Sequence, residues 1–480
     1  MQKSEMLEIA EKHEREIDFD NLFKGERGHA DLFVAYHEDK IKLLSAAEGY
    51  YFNESLNLWE EKTKRDFGRM VSDFLDDHIC NILKELVSDK KKADKYFELN
   101  KILKKVRTVK HCDDVFKFAA PLLMDKDFKS KLNKIPNLLP ISKGRVIDLK
   151  TLEIRLRRKS DYFDFELPYD FTPKKIGKAN KFFEQIMRND KDIVNYLQTL
   201  LGYCITGETN LRSMFIFWGA GSNGKSTLCD LLSKILSKFY IAADKKIFIK
   251  PERGSSHTSH LMPLVNARIA VLSETEQGEK LNESLIKALT GNDTISAREL
   301  YGKQFSFKPV AKYVMLTNHK PTFNINDQAL LDRIRYIPFT ARFTSKPKNG
   351  EFKKDCRFIE KLLTEYLDEV FTWLCLGANK YYECNGNVEV PKSLQEATDE
   401  YIKEIDNVSQ FIEDKCVKES EAKISRSKLY DEYKGYCYDN GLNYQKNTEF
   451  YNRLERLGYE LVMIKGQRQV KGLDVINYLD

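Results

Sequence analysis

A glycine-rich segment between an apolar run and an amphipathic run constrains this chain more than any other feature. Residues 219–226 read Gly-Ala-Gly-Ser-Asn-Gly-Lys-Ser, which matches G-x-x-x-x-G-K-[ST] at every fixed position. The five residues before it, Met214–Trp218, are all apolar, as in a buried strand, and residues 226–236 follow with helical spacing. A motif that joins a strand to a helix in this way predicts a layered α/β fold in the middle of the chain.

The composition of this loop predicts a site for ATP and Mg²⁺. Glycines let backbone N–H groups converge on phosphates, and the start of the following helix adds positive potential. Lys225 would neutralise the β- and γ-phosphates, and the Ser226 hydroxyl would hold Mg²⁺. A purely structural glycine turn is the alternative, but it would not require Lys-Ser at its end. The predicted cofactor-binding residues are Gly219, Ala220, Gly221, Ser222, Asn223, Gly224, Lys225, Ser226 and Thr227.

Two acidic residues follow a second apolar run, Ile269–Leu272. A carboxylate at the end of a strand beside the loop can hold Mg²⁺ through water and orient the attacking water. Glu274 is the stronger candidate for this catalytic and metal-binding role because it lies nearest the strand end. Glu276 points to the same side if the chain stays extended. The alternative for either residue is a solvated loop charge.

A polar residue directly follows a third apolar run, Lys312–Thr317. The Asn318 amide at this position can donate to the γ-phosphate or position the attacking water. Taken alone, Asn318 would be better interpreted as a turn cap, but beside the loop and the acids a catalytic role is favoured. These short runs, with another at 335–338, are typical of parallel strands buried on both faces.

Changes in periodicity divide the rest of the chain. Residues 63–134 have helical spacing, and residues 138–169 alternate as strands do. Helical patterns return at 174–202 and 358–383, and the last part ends in two helical runs and an alternating pair of segments. We predict a helical N-terminal domain at 1–175, an α/β core at 176–345, a helical extension at 346–395 and a winged-helix-like domain at 396–480.

Composition narrows the class of protein. The 480 residues carry 79 basic and 73 acidic side chains, a mild net charge of +6, and nine scattered cysteines with no C-x-x-C pair. Thiols of this kind are typical of a reducing compartment. No run reaches the roughly 18 apolar residues of a membrane span, and the charged N-terminus does not resemble a secretory signal. We therefore expect a cytoplasmic or nuclear protein that is not secreted and does not bind membranes.

Several stretches together make the chain resemble the superfamily 3 helicases, specifically the helicase portion of the poxvirus-type and phage or plasmid primase-helicases. The resemblance is specific over residues 196–345, looser over 30–195 and weakest over the last 80 residues. The stretches that carry it are Leu200–Gly207, Gly219–Thr227, Arg268–Gly278, Leu289–Arg298, Thr317–Pro321 and Asp332–Phe339.

The resemblance implies an AAA+-like P-loop ATPase core, assembled as a hexameric ring with ATP bound between subunits. Arg333 matches the basic residue that reaches the neighbour's nucleotide; its alternative is an ordinary surface arginine. Two positions depart from the family pattern. Ser273 stands where many relatives have a first acid, which shifts the metal role to the following glutamates, and Asp332 stands where a second arginine is often found.

The segment 294–308 alternates on both sides of Tyr-Gly-Lys, which predicts a hairpin with Gly302 and Lys303 at its tip. In the resembling helicases a hairpin here projects into the central channel, where a lysine near the tip tracks the phosphate backbone without reading sequence. Lys303 is therefore predicted to bind DNA, together with Arg298 and Tyr301. For the aromatic side chain, core packing is the favoured alternative.

The implied function is that of an ATP-dependent replicative DNA helicase, which translocates on single-stranded DNA as a ring and unwinds duplex. The alternative is a P-loop ATPase motor or switch that binds nucleic acid without unwinding, as in packaging. A small-molecule kinase is disfavoured because no arginine-rich lid follows the loop. Expected partners are single-stranded and forked DNA, further copies of the chain, and a primase or polymerase in trans. The segment before the helical domain is too short for a primase fold, so priming would come from a separate chain or from a longer N-terminal part.

Overall fold

The computed structural model describes residues 19–86, 93–250, 258–273, 276, 279–298, 304–464 and 466–476. The chain divides into two compact units, Met1–Asp148 with Glu153–Pro168, and Leu149–Leu152 with Tyr169–Asp480. Within the described ranges, no helix is both long enough and apolar enough to cross a membrane. The finer division into four domains stays a prediction.

The first unit contains strands as well as helices. A buried column of apolar side chains at four-residue spacing (Phe67, Val71, Leu75, Ile79) explains the long helix Lys64–Leu86, because this spacing places them on one helical face. Its helices are Gly25–His37, Lys64–Leu86, Ala93–Val106, Val109–Ala119 and Phe128–Lys131. Its two antiparallel sheets are β1 (Ile41–Leu43), β2 (Glu48–Asn53) and β3 (Leu58–Thr63), and β4 (Leu138–Ile141), β5 (Arg145–Asp148) and β6 (Ile154–Leu156).

A five-stranded parallel sheet organises the second unit, and the predicted mixed α/β class with a parallel sheet is confirmed. The strand order is β13-β7-β12-β9-β8. All six residues of β12 are buried, as expected of a central strand covered on both faces. The strands are β7 (Met214–Trp218), β8 (Tyr240–Ala242), β9 (Ile269–Ser273), β12 (Lys312–Thr317) and β13 (Ile334–Pro338).

Helices and small sheets surround this parallel sheet. The helices before the C-terminal part are Gly177–Ile186, Lys191–Ile205, Lys225–Leu236, Lys245–Phe248, Glu283–Thr290, Gln328–Leu331, Cys356–Leu362 and Leu367–Glu383. The small sheets here are the antiparallel pair β10 (Ile295–Arg298) and β11 (Gln304–Phe307), and the parallel pair β14 (Phe343–Thr344) and β15 (Phe352–Lys353). Helices 191–205 and 367–383 cross closely at Gly377, where an added Cβ would lie 2.0 Å from the Gln198 carbonyl oxygen.

The C-terminal part has its own apolar cluster, which includes Phe411, Leu429 and Phe450. A buried carboxylate, Asp406, pairs with Arg453 at 2.6 Å. Its helices are Lys392–Ile405, Asn407–Lys415, Arg426–Asp439 and Asn447–Arg456. Its strands are β16 (Cys416–Val417), β17 (Lys423–Ser425), β18 (Glu460–Ile464), β19 (Gln467–Lys471) and β20 (Asp474–Val475), with β18 and β19 forming an antiparallel hairpin.

Candidate nucleotide site

The loop after β7 requires glycine at the positions that the motif fixes. At Gly219 an added Cβ would lie 2.1 Å from the Asn223 amide nitrogen and 2.4 Å from the Phe339 carbonyl oxygen. Gly224 has a φ of +89°, a left-handed conformation that side chains rarely adopt, and its Cβ position is 2.5 Å from Ile186. A side chain at Gly219 or Gly224 would therefore be incompatible with the backbone conformation and close packing of this loop.

Hydrogen bonds hold this loop to both neighbouring strands. The Gly219 N–H donates to the Thr317 carbonyl at 3.1 Å, and the buried Asn223 amide donates to the Phe339 carbonyl at 3.1 Å. The Ser222 carbonyl accepts from the Phe343 N–H at 2.8 Å. Among the described residues, the backbone N–H groups of 222–224 donate to no protein acceptor. Successive free N–H groups in a turn form a concavity suited to an anion.

Lys225, the first residue of helix 225–236, is 6% exposed and lies inside this concavity. Its ammonium group donates to the Gly219 carbonyl at 2.5 Å, to the Asn223 side-chain oxygen at 3.3 Å and to the Asn318 side-chain oxygen at 3.2 Å. All three acceptors are neutral, and burial lowers the pKa of Lys225 to about 8. A buried cation held by neutral oxygens alone, within the described part of the chain, fits a phosphate ligand.

Asn318 meets Lys225 because β12 and β7 are parallel neighbours. Thr317, the last residue of β12, pairs with Trp218, the last residue of β7, so the residues that follow both strands lie at one edge of the sheet. The Trp218 indole N–H donates to the Asn318 carbonyl at 3.2 Å. The structure therefore brings together the loop and the amide that the sequence selected.

The predicted acids follow β9 in the sequence, and β9 is the neighbour of β12 in the sheet. Ser273 ends β9 in register with Leu316, and its hydroxyl is 3.8 Å from the Cys229 sulfur of helix 225–236. Glu274 lies outside the described residues. Glu276 is exposed, with a carboxylate oxygen 3.5 Å from the Lys245 ammonium. No group of three His, Cys, Asp or Glu side chains suited to a metal occurs in the described ranges.

Four further loop residues were predicted to contact the nucleotide. Ser226 is exposed in the first turn of helix 225–236, and Thr227 is half-buried beside it. Ala220 and Gly221 are exposed on the outer part of the loop, and Gly221 has a φ of +99°. A hydroxyl at the start of this helix is the protein ligand that Mg²⁺ would use, so the loop residues present fit the metal as well as the phosphates.

Arg333 lies away from the loop of its own chain. Its carbonyl accepts from the Met214 N–H at 2.8 Å, at the beginning of β7, whereas the loop follows the other end of that strand. Five residues of strand separate the two by about 13 Å. The guanidinium donates to the Thr290 hydroxyl at 3.1 Å and to the Ala329 carbonyl, and the side chain is half-buried.

The antiparallel strand pairing predicted within 294–308 is confirmed, and the predicted tip at Gly302 and Lys303 lies outside the described residues. Strands β10 and β11 are antiparallel, with Arg298 opposite Gln304 at the last described pair. Arg298 is exposed, and its backbone N–H donates to the Thr258 hydroxyl at 3.1 Å. Tyr301 and Lys303 lie outside the described residues.

Sequence reasoning missed a group of side chains beside Asn318. Lys320 lies with its ammonium 4.8 Å from the centre of the Trp218 ring and forms an ion pair with Glu404. The only local signal was that Lys320 follows Asn318 by two residues. Glu404 is 84 residues further along the chain, so no local pattern could have selected it.

Three family profiles match parts of the chain. The D5 N terminal like family matches residues 30–189, and the poxvirus D5 protein-like family matches residues 403–470. Residues 217–333, which include the loop and Asn318, match a family of unknown function, DUF5906. The matched segments lie one after another along the chain without overlap.

Curated viral relatives carry helicase and primase names. A "Putative helicase" of Acanthamoeba polyphaga mimivirus is 26% identical over 89% of this chain and 47% of its own length. A "Putative helicase" of Frog virus 3 is 28% identical over 57% of this chain and 29% of its own. A "Putative primase" of African swine fever virus is 24% identical over 64% and 34%. The chain therefore spans less than half the length of each of these relatives.

Among solved structures, an apo structure of the NrS-1 C-terminal region is 13% identical, covers 65% of this chain and 80% of that chain, and has a TM-score of 0.38. Scores of this size do not bear on the fold or the function. The D5-type matches at both ends of the chain and the viral helicase and primase relatives confirm the resemblance to the poxvirus-type primase-helicases.

Proposed function

We propose, on the premise that this chain is related to the poxvirus-type primase-helicases, that it is an ATP-driven DNA helicase with an AAA+-like P-loop core. The observation that carries the proposal is the position of Lys225. Its buried ammonium faces only neutral oxygens among the described residues, and it contacts the amide of Asn318. The neighbouring N–H groups of 222–224 donate to no acceptor in the described part of the chain. An anion would complete this arrangement, and a triphosphate suits the motif.

Each residue of the site then has a distinct role. Bound Mg-ATP would supply the γ-phosphoryl group that water attacks. Lys225 neutralises the β- and γ-phosphates, while the N–H groups of loop 219–227 bind the phosphate oxygens. The Ser226 hydroxyl holds the metal. With Mg-ATP bound, Glu274 would hold the metal through water and would orient the attacking water, with Glu276 in support, and the Asn318 amide would donate to the γ-phosphate.

Arg333 acts on the nucleotide of a neighbouring copy in a ring, for which we propose a hexamer. The distance along β7 that separates it from its own loop supports action in trans rather than in cis. Its present acceptors, the Thr290 hydroxyl and the Ala329 carbonyl, are neutral, so a phosphate would compete well for the guanidinium.

The β10–β11 hairpin carries the DNA contacts. Lys303 and Arg298 bind the backbone of single-stranded DNA, and Tyr301 stacks on a base. In the C-terminal part, helices Arg426–Asp439 and Asn447–Arg456 and the β18–β19 hairpin support a winged-helix-like domain at 396–480. Forked DNA and a primase or polymerase in trans are the remaining proposed partners, at a replication site in the cytoplasm or nucleus.

An ATPase assay of the full chain with and without single-stranded DNA tests this proposal, with assembly state measured in parallel by light scattering. We expect Mg²⁺-dependent hydrolysis that DNA stimulates, and its loss in Lys225→Ala. Lys234→Ala, an exposed lysine on the same helix, is the matched control and should keep the wild-type rate. Hydrolysis that survives Lys225→Ala would exclude the nucleotide site. DNA-stimulated hydrolysis without strand separation would favour a motor or switch that does not unwind.

A further inference from the structure

The ammonium of Lys320 is enclosed by three aromatic rings. It lies 4.8 Å from the centre of the Trp218 ring, 5.5 Å from that of Tyr336 and 5.7 Å from that of Tyr401. The Lys320 side chain is only 20% exposed, and its ion-pair partner is Glu404. Cations are attracted to the faces of such rings, and more strongly where water is partly excluded. We call Lys320, Trp218, Tyr336 and Tyr401 the lysine cage.

The cage contacts the nucleotide site through Trp218. This residue ends β7 immediately before the phosphate loop, and its indole N–H donates to the Asn318 carbonyl at 3.2 Å. The Asn318 side chain in turn reaches the Lys225 ammonium at 3.2 Å. A shift of the Trp218 ring would therefore move the backbone that carries the Asn318 amide.

On its other side, the cage belongs to the C-terminal part of the unit. Tyr401 and Glu404 are one turn apart on helix 392–405, and the fully buried Tyr401 donates its hydroxyl to the Pro321 carbonyl. Tyr401 also stacks on Tyr336, with ring centres 4.8 Å apart. The helix therefore holds the segment after Asn318 by an ion pair and a hydrogen bond, and its ring stack holds β13.

A second contact holds the same segment further along. The Asn326 side chain donates to the Glu449 carbonyl of helix 447–456 at 3.1 Å. Residues 319–326, which directly follow the Asn318 amide, are thus attached to the C-terminal part at both ends. A rigid attachment of this kind transmits displacement, because packed side chains do not compress.

We propose that Lys320 is a positioning residue for the Asn318 amide, and that its ion pair with Glu404 couples that amide to helix 392–405. The inference rests on the proposed function of Asn318 in hydrolysis. Without the cation the Trp218 ring can move, and this weakens the indole hydrogen bond that fixes Asn318. Nucleotide binding depends mainly on the N–H groups of the loop and on Lys225, so the effect falls on the chemical step more than on affinity.

Steady-state ATP hydrolysis by full-length variants tests this coupling. Lys320→Met, which keeps the length of the side chain but not its charge, should lower kcat about tenfold and change KM for ATP by less than about twofold. Lys320→Arg keeps a cation over the rings and should retain most of kcat. Lys392→Met is the control: it removes an exposed ion pair on helix 392–405, the helix that carries Glu404, and should change neither kcat nor KM.

A double-mutant cycle with Glu404 completes the test. Glu404→Gln should lower kcat about threefold, and the double variant Lys320→Met/Glu404→Gln should be no slower than Lys320→Met alone. Unchanged kcat in Lys320→Met, a parallel rise in KM, or fully multiplicative effects would overturn the inference. Failure of the proposed function is distinguishable, because hydrolysis would then persist in Lys225→Ala. Hydrolysis that is lost in Lys225→Ala but unchanged in Lys320→Met would overturn only the coupling.

Discussion

The buried ammonium of Lys225 predicts that nucleotide affinity falls at alkaline pH. Burial lowers the pKa of this group to about 8 in the free protein. Bound phosphates favour the charged form, so the pKa of the complex lies higher. When the pH exceeds the pKa of the free protein, Lys225 must therefore take up a proton for the nucleotide to bind. Well below pH 8 both states are protonated and affinity should not depend on pH.

The magnitude follows from the lowered pKa. At pH 9 only about one free molecule in eleven carries the charge, so the dissociation constant for Mg-ATP should rise about tenfold between pH 7 and pH 9. ATP phosphates are fully ionised over this range and contribute no slope. The rise should come with uptake of about half a proton per nucleotide at pH 8.

Isothermal calorimetry at several pH values, in two buffers of different ionisation enthalpy, measures both quantities. Lys225→Arg is the matched variant, since a guanidinium does not titrate here and its affinity should be independent of pH. A wild-type affinity that varies by less than about twofold between pH 7 and pH 9, without proton uptake, would refute the reasoning.

Three further outcomes follow from the site and its packing. Lys303→Ala should keep basal ATP hydrolysis but lose DNA stimulation and strand separation in a fork-unwinding assay; normal unwinding would reject the hairpin contact. Mixing Arg333→Ala with Lys225→Ala subunits should partly restore hydrolysis, because some interfaces then have an intact loop and an intact arginine; no restoration would argue for a different residue. Gly377→Ala should lower the free energy of unfolding in urea by about 3 kcal/mol through overpacking, whereas Gly435→Ala, where an added Cβ meets nothing within 4 Å, should not destabilise the protein.

The parts of the site with local signals could be predicted from the sequence. Strands Met214–Trp218 and Lys312–Thr317 have the bounds that their apolar runs predicted. The meeting of Lys225 and Asn318 followed from these strands, because parallel strands in one sheet bring their carboxyl ends to the same edge. Glycine at 219 and 224 was likewise predictable from the motif, and the steric reason became visible with the neighbours of each position.

Contacts between distant segments could not be predicted. The three-residue strand β8 is too short for a periodic signal, and nothing local places β12 between β7 and β9. Lys320 and Glu404 are 84 residues apart, and in the first unit His29 and His111 hydrogen-bond at 2.9 Å across 82 residues. Such pairs depend on how whole elements pack, and a single sequence carries little information on that.

Hydrogen–deuterium exchange of the full chain, with and without saturating Mg-ATP, tests the central claim most directly. The account predicts that nucleotide slows amide exchange in residues 219–227 and in the peptide that contains Asn318, and that Lys225→Ala loses both effects. Protection confined to other segments, or none at saturating nucleotide, would contradict a triphosphate bound in this loop.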